Sequence, residues 1–327
     1  MRLVRWVYTL VTPIFVMATS NSPPLCTSPR SPKYESLEAN HSASFHANFD
    51  TGEAGKHANG DLVSNSLYWT ANQVNTLGRT PFVNGLLSFG GPFPDLFIAD
   101  LIHLNEGNKA SIMFYFQGHQ TGEFDGVPAS GAAIQILNGE LFVFDQDVLL
   151  DRLITVNELN ILQLQITGQQ KVTDFTNVTL IKNPQTPKAF RESLKSTTAK
   201  FHQNFNLNKT ADNAAFVMDN VQIFSNKGLQ TGKEAFLALF TQFETSHPDL
   251  LAHDEYLLAD GHFTSLEWIW QGTFTGPFTL TNGTVVQPTK KSYRTQAMAW
   301  FQFNDQGLVE HVWHVSNRDD LVEIVQN

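Results

Sequence analysis

A set of turn and apolar residues occurs twice in this chain at a constant spacing. Gly78-Arg79, Phe82, Pro94-Asp95-Leu96, Gly107, Gln117-Gly118, Thr121-Gly122 and Phe124 return 154 positions later. There they read Gly232-Lys233, Phe236, Pro248-Asp249-Leu250, Gly261, Gln271-Gly272, Thr275-Gly276 and Phe278. The echo reaches upstream as well. Residues 31–37 resemble residues 186–194, and Phe45-His46-Ala47-Asn48-Phe49 is answered by Phe201-His202-Gln203-Asn204-Phe205. An offset held from Gly78 to Phe124 requires two copies of one domain, each long enough to bury its own core.

The copies occupy residues 31–166 and 186–327, joined by a polar linker over 167–185. Ahead of them, a basic start at Met1-Arg2-Leu3-Val4-Arg5 and an apolar stretch broken by Pro13 read as a signal peptide over 1–18. A Pro/Ser-rich lead-in, expected to be disordered, follows over 19–30. The expectation is a secreted or extracytoplasmic protein with no stable membrane span. Cys26 is the only cysteine, so no internal disulfide is available. Sequons at Asn40, Asn177, Asn208 and Asn282 make it a glycoprotein candidate in a eukaryotic secretory pathway. A net charge of −10 without any Lys/Arg-rich run argues against nucleic acid and leaves a small, weakly charged partner. Twenty-six Phe and six Trp supply enough aromatic surface for two cores and for apolar-lined pockets.

Each copy reads as helices first and strands afterwards. Thr186 suits an N-cap with Pro187 at the first helical position, and Phe190, Leu194, Phe201 and Phe205 follow on one stripe. A shorter helix is expected over 232–240. Strands are expected over 256–259, 263–274, 293–303 and 309–315. In the first copy they fall over 101–104, 110–116, 132–137, 141–144 and 149–156, with turns at 105–108 and at Asn138-Gly139. The fold class is therefore α+β, with helices packed on one face of a curved antiparallel sheet, built twice.

The residues also resemble a known family. Gly118-His119-Gln120-Thr121-Gly122-Glu123-Phe124-Asp125-Gly126-Val127-Pro128-Ala129-Ser130-Gly131 and Gly307-Leu308-Val309-Glu310-His311-Val312-Trp313 are similar to motifs of the SnoaL-like polyketide cyclases and ester cyclases. That resemblance implies, once per copy, the nuclear-transport-factor-like cone, a strongly bent sheet plugged by helices with a pocket at its mouth. It also implies an intramolecular aldol closure without metal or cofactor: a carboxylate in an apolar pocket removes a carbon-bound proton while a neighbouring donor supports the enolate oxygen. The family's acid follows the last strand in the pattern Trp-x-x-x-Asp, and its His is the third residue of Gly-Thr-His-x-Gly. In the second copy these positions hold Asn317 and Phe274, neither able to act as a base. In the first they hold Glu158 and Gln120, so Glu158 and Gln120 are the candidate catalytic pair. Arg152, Ile154, Trp268, Trp270, His311, Trp313 and Asn317 are the candidate pocket-lining residues.

The remaining polar residues read as structural. Asp95 and Asp249 follow Pro before a strand and suit turns and caps. His103, His253, His262 and His314 lack the close spacing of a metal site. Two functions fit: a cyclase- or isomerase-type enzyme working through its first copy on an apolar carbonyl compound, or a non-catalytic binder of a hydrophobic small molecule or interaction module. Cones of this family commonly pair through the outer sheet face. The two copies are therefore expected to form an intramolecular pseudo-dimer.

Overall fold

The structure is a computed structural model that describes residues 36–72, 74–172, 178–225, 228–244, 246–279 and 284–316. The signal and lead-in readings over 1–30, and Asn177, Asn282 and Asn317, lie outside the described residues. In the first copy helices α1 (Leu37–Phe49) and α2 (Glu53–Ala58) precede strands β1 (Val63–Ala71) and β2 (Val74–Leu77). Helix α3 (Arg79–Ser88), strands β3 (Phe97–Glu106), β4 (Lys109–His119), β5 (Ala133–Phe144) and β6 (Leu150–Asn157), and helix α4 (Leu159–Ile166) complete it. The second copy repeats the order through α5 (Lys188–Asn206), β7 (Val217–Ser225), β8 (Gly228–Thr231), α6 (Lys233–Glu244), β9 (Leu251–Asp260) and β10 (Phe263–Thr273). A small pair, β11 (Phe278–Thr279) and β12 (Val285–Val286), then leads to β13 (Ser292–Phe303) and β14 (Val309–Ser316). The two six-stranded sheets have the same strand order, β2-β1-β6-β5-β4-β3 and β8-β7-β14-β13-β10-β9.

Each sheet is mixed. The β1/β6 and β7/β14 pairs are parallel and the rest antiparallel. Parallel neighbours need a long crossover, which the whole stretch between β1 and β6 supplies. Strands β1, β2, β7 and β8 and helix α4 were not legible in the sequence, because their short mixed stretches carry neither period strongly. The N-cap of α5 falls on Pro187, one residue later than expected. Thr186 instead donates its hydroxyl to the carbonyl of Gly261, tying the helix start to the β9–β10 turn.

Alternation along β4 sorts its side chains onto two faces. Ala110, Ile112, Phe114 and Phe116 point inward, onto Phe45, Phe49 and Phe82 of the helices. Met113 and Tyr115 point outward. There, with Leu137, Leu141, Ile154 and Val156, they share a cluster with Leu258, Phe263, Met298, Trp300, Trp313 and Val315 of the second copy. Residues equivalent in the repeat meet each other in this contact, as Ser111 Oγ and Ser265 Oγ do at 2.6 Å. Meeting of equivalents is what an isologous contact produces. The Lys195 ammonium also bonds Glu106 at 2.9 Å, and the backbone N–H of Ala259 donates to the same carboxylate.

The expected turn at Asn138-Gly139 is not there. Strand β5 runs unbroken through it, and both residues are buried. Asn138 donates its side-chain amide to the Ile136 carbonyl. A Cβ on Gly139 would stand 2.4 Å from Cη2 of Trp300. The glycine therefore marks a close approach of the second copy, a use of strand glycine that a two-residue turn signal does not distinguish. The 167–185 linker is also partly tied down, since Ile181 donates its N–H to Leu101 O and Asn183 donates its amide to Asp260 O.

Candidate functional site

Gln120 follows β4 and Glu158 follows β6, and no hydrogen bond joins the two side chains. Gln120 is fully buried, and its Nε2 donates to Val127 O and Pro128 O while its Oε1 accepts from the backbone N–H and hydroxyl of Ser130. Two donors and two acceptors exhaust a side-chain amide, so Gln120 staples the loop that follows β4 and has nothing left for an oxyanion. The neighbouring His119 is held by Asp95, whose carboxylate accepts from its backbone N–H at 2.8 Å and its Nδ1 at 2.7 Å. Asp249 accepts from the Thr273 N–H in the same way. Glu158 caps α4 by position, makes no side-chain cap bond, and is 3% exposed. Burial alone holds its carboxyl well above the usual range. Its charge acts on Tyr115, whose ring packs on the side facing the second copy.

The candidate pocket-lining residues divide between two environments. Arg152 and Ile154 line a cavity between the copies rather than the interior of the first cone. His311 and Trp313 stack with Phe224 on the outer face of the second sheet, with ring centroids 6.3 and 5.3 Å from that Phe. Trp268 and Trp270 lie inside the second cone, 4.8 and 5.4 Å from His202.

The first cone gathers a different polar set. His46, on the inward face of α1, presents Nδ1 to Asp100 of β3 at 2.6 Å and Nε2 to Glu140 of β5 at 3.1 Å. Glu140 also accepts the Thr155 hydroxyl at 3.1 Å, and Thr155 in turn accepts from Trp69 Nε1 at 3.0 Å. Phe114 and Phe142 pack around the imidazole, 4.6 and 5.8 Å away. These five polar side chains come from α1, β1, β3, β5 and β6, which is most of the cone. Asp100 and Trp69 are half-buried, and the other three are buried.

Burial opposes a charge on His46. The two carboxylates and their hydrogen bonds outweigh it and raise its pKa to about 10, so both ring nitrogens donate. Asp100 is itself penalised by burial, yet the imidazolium holds its carboxyl below the ordinary value. His103 shows the opposite result. Burial, only partly offset by Asp100, lowers its pKa to about 4, and the neutral ring bonds Ser42 at 2.9 Å. Asp50, at the end of α1, accepts the Ile98 N–H, and burial lifts its pKa to about 7. In the second copy Asn206 holds the matching Ala252 by both N–H and carbonyl, the contact a protonated Asp50 imitates.

Only part of this line recurs in the second cone. His202 keeps its aspartate, Asp254. Glu140 and Thr155 face each other across β5/β6, and the matching pair in β13/β14 is Ala299 with His314. Ile223, paired to Val312 as Trp69 is to Leu153, replaces the indole donor. Sequence reading missed His46, Asp100 and Glu140 as a group because they lie on three separate elements. The repeated Phe-His-x-Asn-Phe stretch was the available signal. Its Asn is also built in: Asn48 and Asn204 bond Asn59 and Asn213, which in turn donate to Phe45 O and Phe201 O. Among the described residues no cluster of three or more His, Cys, Asp or Glu is arranged to hold a metal ion, and no helix is long and apolar enough to cross a membrane.

Comparison with known proteins adds a family to this geometry. Residues 195–323 match the family model of the SnoaL-like polyketide cyclases. Solved structures of similar shape include a protein from Jannaschia sp. CCS1 assigned as a SnoaL-like polyketide cyclase, 15% identical, covering 42% of this chain and 99% of its own at a TM-score of 0.39. TsrD from Streptomyces laurentii is 19% identical, covering 41% and 98% at 0.37. An NTF2-like protein from Exiguobacterium sp. 255-15 is 14% identical, covering 36% and 96% at 0.29. No curated protein matches the chain. The match to the SnoaL-like polyketide cyclases falls within the second copy, and the first copy repeats its strand order, so the chain is built from that one fold twice.

Proposed function

We propose that the first cone performs cofactor-free acid–base chemistry of the cyclase or isomerase type on an apolar carbonyl compound, with the second cone as a non-catalytic partner. The observation that carries this reading is the Glu140–His46–Asp100 line, present in one cone and incomplete in the other. Glu140 is the proton acceptor. Each of its oxygens takes one hydrogen bond, from Thr155 and from His46, which leaves a lone pair on each for a carbon-bound proton. Phe142 packs against the His46 imidazole beside it, with ring centroids 5.8 Å apart, so the base lies on an apolar wall. As the enolate forms, the His46 N–H released from Glu140 donates to its oxygen, and Asp100 keeps the imidazolium charged and oriented. The same proton then returns from Glu140 to the new carbon or oxygen centre.

The test is proton exchange from an aryl 1,3-diketone in D2O, followed by NMR, with the full chain and two variants. Glu140→Gln is expected to slow catalysed exchange by about 100-fold or more, the usual worth of a positioned base. Glu158→Gln is expected to leave it within about twofold. Loss in Glu158→Gln with Glu140→Gln active would return the catalytic role to Glu158. A second reading, non-catalytic binding, is favoured by Trp268 and Trp270 around His202 in the second cone. It is expected to show saturable quenching of Trp fluorescence by an apolar ligand with no exchange above the uncatalysed rate.

A further inference from the structure

Outside both cones, a cavity of about 210 Å³ lies where the outer faces of the two sheets diverge. Its first-copy wall carries Tyr68 and Arg152, and its second-copy wall carries Tyr256, Glu267, Arg294 and Gln296. Arg152 is preset: its guanidinium lies over the Tyr68 ring at 5.2 Å, and one terminal nitrogen donates to the Tyr256 hydroxyl at 3.0 Å. Its Nε stays buried without a partner. Glu267 Oε2 and Gln296 Oε1 are in the same condition, although Gln296 does donate to the other Glu267 oxygen at 3.3 Å. Glu267 is 1% exposed, and burial together with Glu255 raises its carboxyl to about 8.

The repeat shows that the fold does not need these groups. By strand register Glu267 corresponds to Met113 and Gln296 to Leu137, and both of those are packed in the apolar contact between the sheets. A chain that solves the same packing problem with Met and Leu at one end has no structural use for an unpaired carboxyl and amide at the other. Each such buried atom costs on the order of 1–3 kcal/mol unless something bonds it.

We infer that the inter-copy cavity is a binding site for a small carboxylate bearing a hydroxyl or amino group on the adjacent carbon. The carboxylate bonds Arg152 Nε, with Arg294 at the rim. The adjacent hydroxyl or amine donates to Gln296 Oε1 and meets Glu267 Oε2. A guanidinium edge fixed by two aromatic rings is the planar donor that carboxylates favour. The volume suits a compound of no more than about ten heavy atoms.

Calorimetric titration of the full chain tests this, using lactate and serine as carboxylate probes and ethanolamine and putrescine as amines without one. Saturable binding of lactate or serine is expected, at least about tenfold weaker in Arg152→Lys and lost in Glu267→Met. Glu267→Met copies the first-copy residue, so the ligand-free variant is expected to unfold at a higher temperature than the wild type. The inference is overturned if neither carboxylate binds, if only the amines bind, or if lactate and serine bind Arg152→Lys as well as the wild type. A lower unfolding temperature for Glu267→Met would mark its carboxyl as part of the sheet contact, and overturns it too.

Discussion

Replacing Gly139 by alanine is expected to destabilise the chain by about 3 kcal/mol, an effect of the size that overpacking produces in a closed interior. The added methyl would stand 2.4 Å from Trp300 Cη2, 3.1 Å from Cζ3 and 3.2 Å from Met298 Sδ. Neither neighbour yields easily. Trp300 and Met298 are both fully buried, and Trp300 sits mid-strand in β13 opposite Trp313. The strain can be relieved only by moving one sheet away from the other, which would expose the shared cluster. Urea unfolding of Gly139→Ala, Trp300→Leu and the double variant measures the coupling directly. The double variant is expected to be more stable than the sum of the single losses requires, because the smaller side chain makes room for the methyl. Strict additivity would mean that Gly139 and Trp300 do not touch.

A second large effect concerns His46 and pH. Its folded pKa of about 10 lies above the ordinary 6.5, so the stability it contributes is complete below about pH 6.5 and is lost as pH rises through about 10. At roughly 1.4 kcal/mol per unit, the loss is on the order of a few kcal/mol. Asp50 and Glu267, raised to about 7 and about 8, have the same sign but finish earlier, over about 4 to 7 and about 4.5 to 8. His103 has the reverse sign. Its depressed pKa of about 4 gives stability that is lost as pH falls below 6.5 toward 4. The interval from pH 8 to 10 therefore isolates His46 among these four. Chemical denaturation across it is expected to show falling stability in the wild type and a clearly shallower fall in His46→Gln. Parallel profiles would show that the ring is neutral in the fold.

Fold and site differed in how far they could be read from the sequence. The duplication was visible because turn glycines, Pro-Asp pairs and apolar strand residues are dictated by local geometry, which both copies must satisfy. Asp95 and Asp249 illustrate this, each capping the end of the facing strand as the Pro-Asp pattern suggests. Gly139 was misread for a complementary reason. A glycine needed for a distant tryptophan looks, from its neighbours alone, like a glycine needed for a turn. The polar line was harder still, since His46, Asp100 and Glu140 are 54 and 94 residues apart in the pairs that bond. No spacing rule joins residues at such separations. Their meeting follows from α1 lying across the inward face of the sheet. Alternation along the strands did carry real information about Arg152, Ile154, His311 and Trp313: each pair shares a face. The sequence did not say which face lines the cone and which meets the other copy.

The two cones share one strand order, and the proposed chemistry belongs to the first alone. Matched substitutions, His46→Gln in the first cone and His202→Gln in the second, test that claim in one assay of diketone proton exchange by the full chain. The expected result is a loss of about 100-fold or more in His46→Gln and a change of no more than about twofold in His202→Gln. Equal losses in both variants, or a loss confined to His202→Gln, would contradict it.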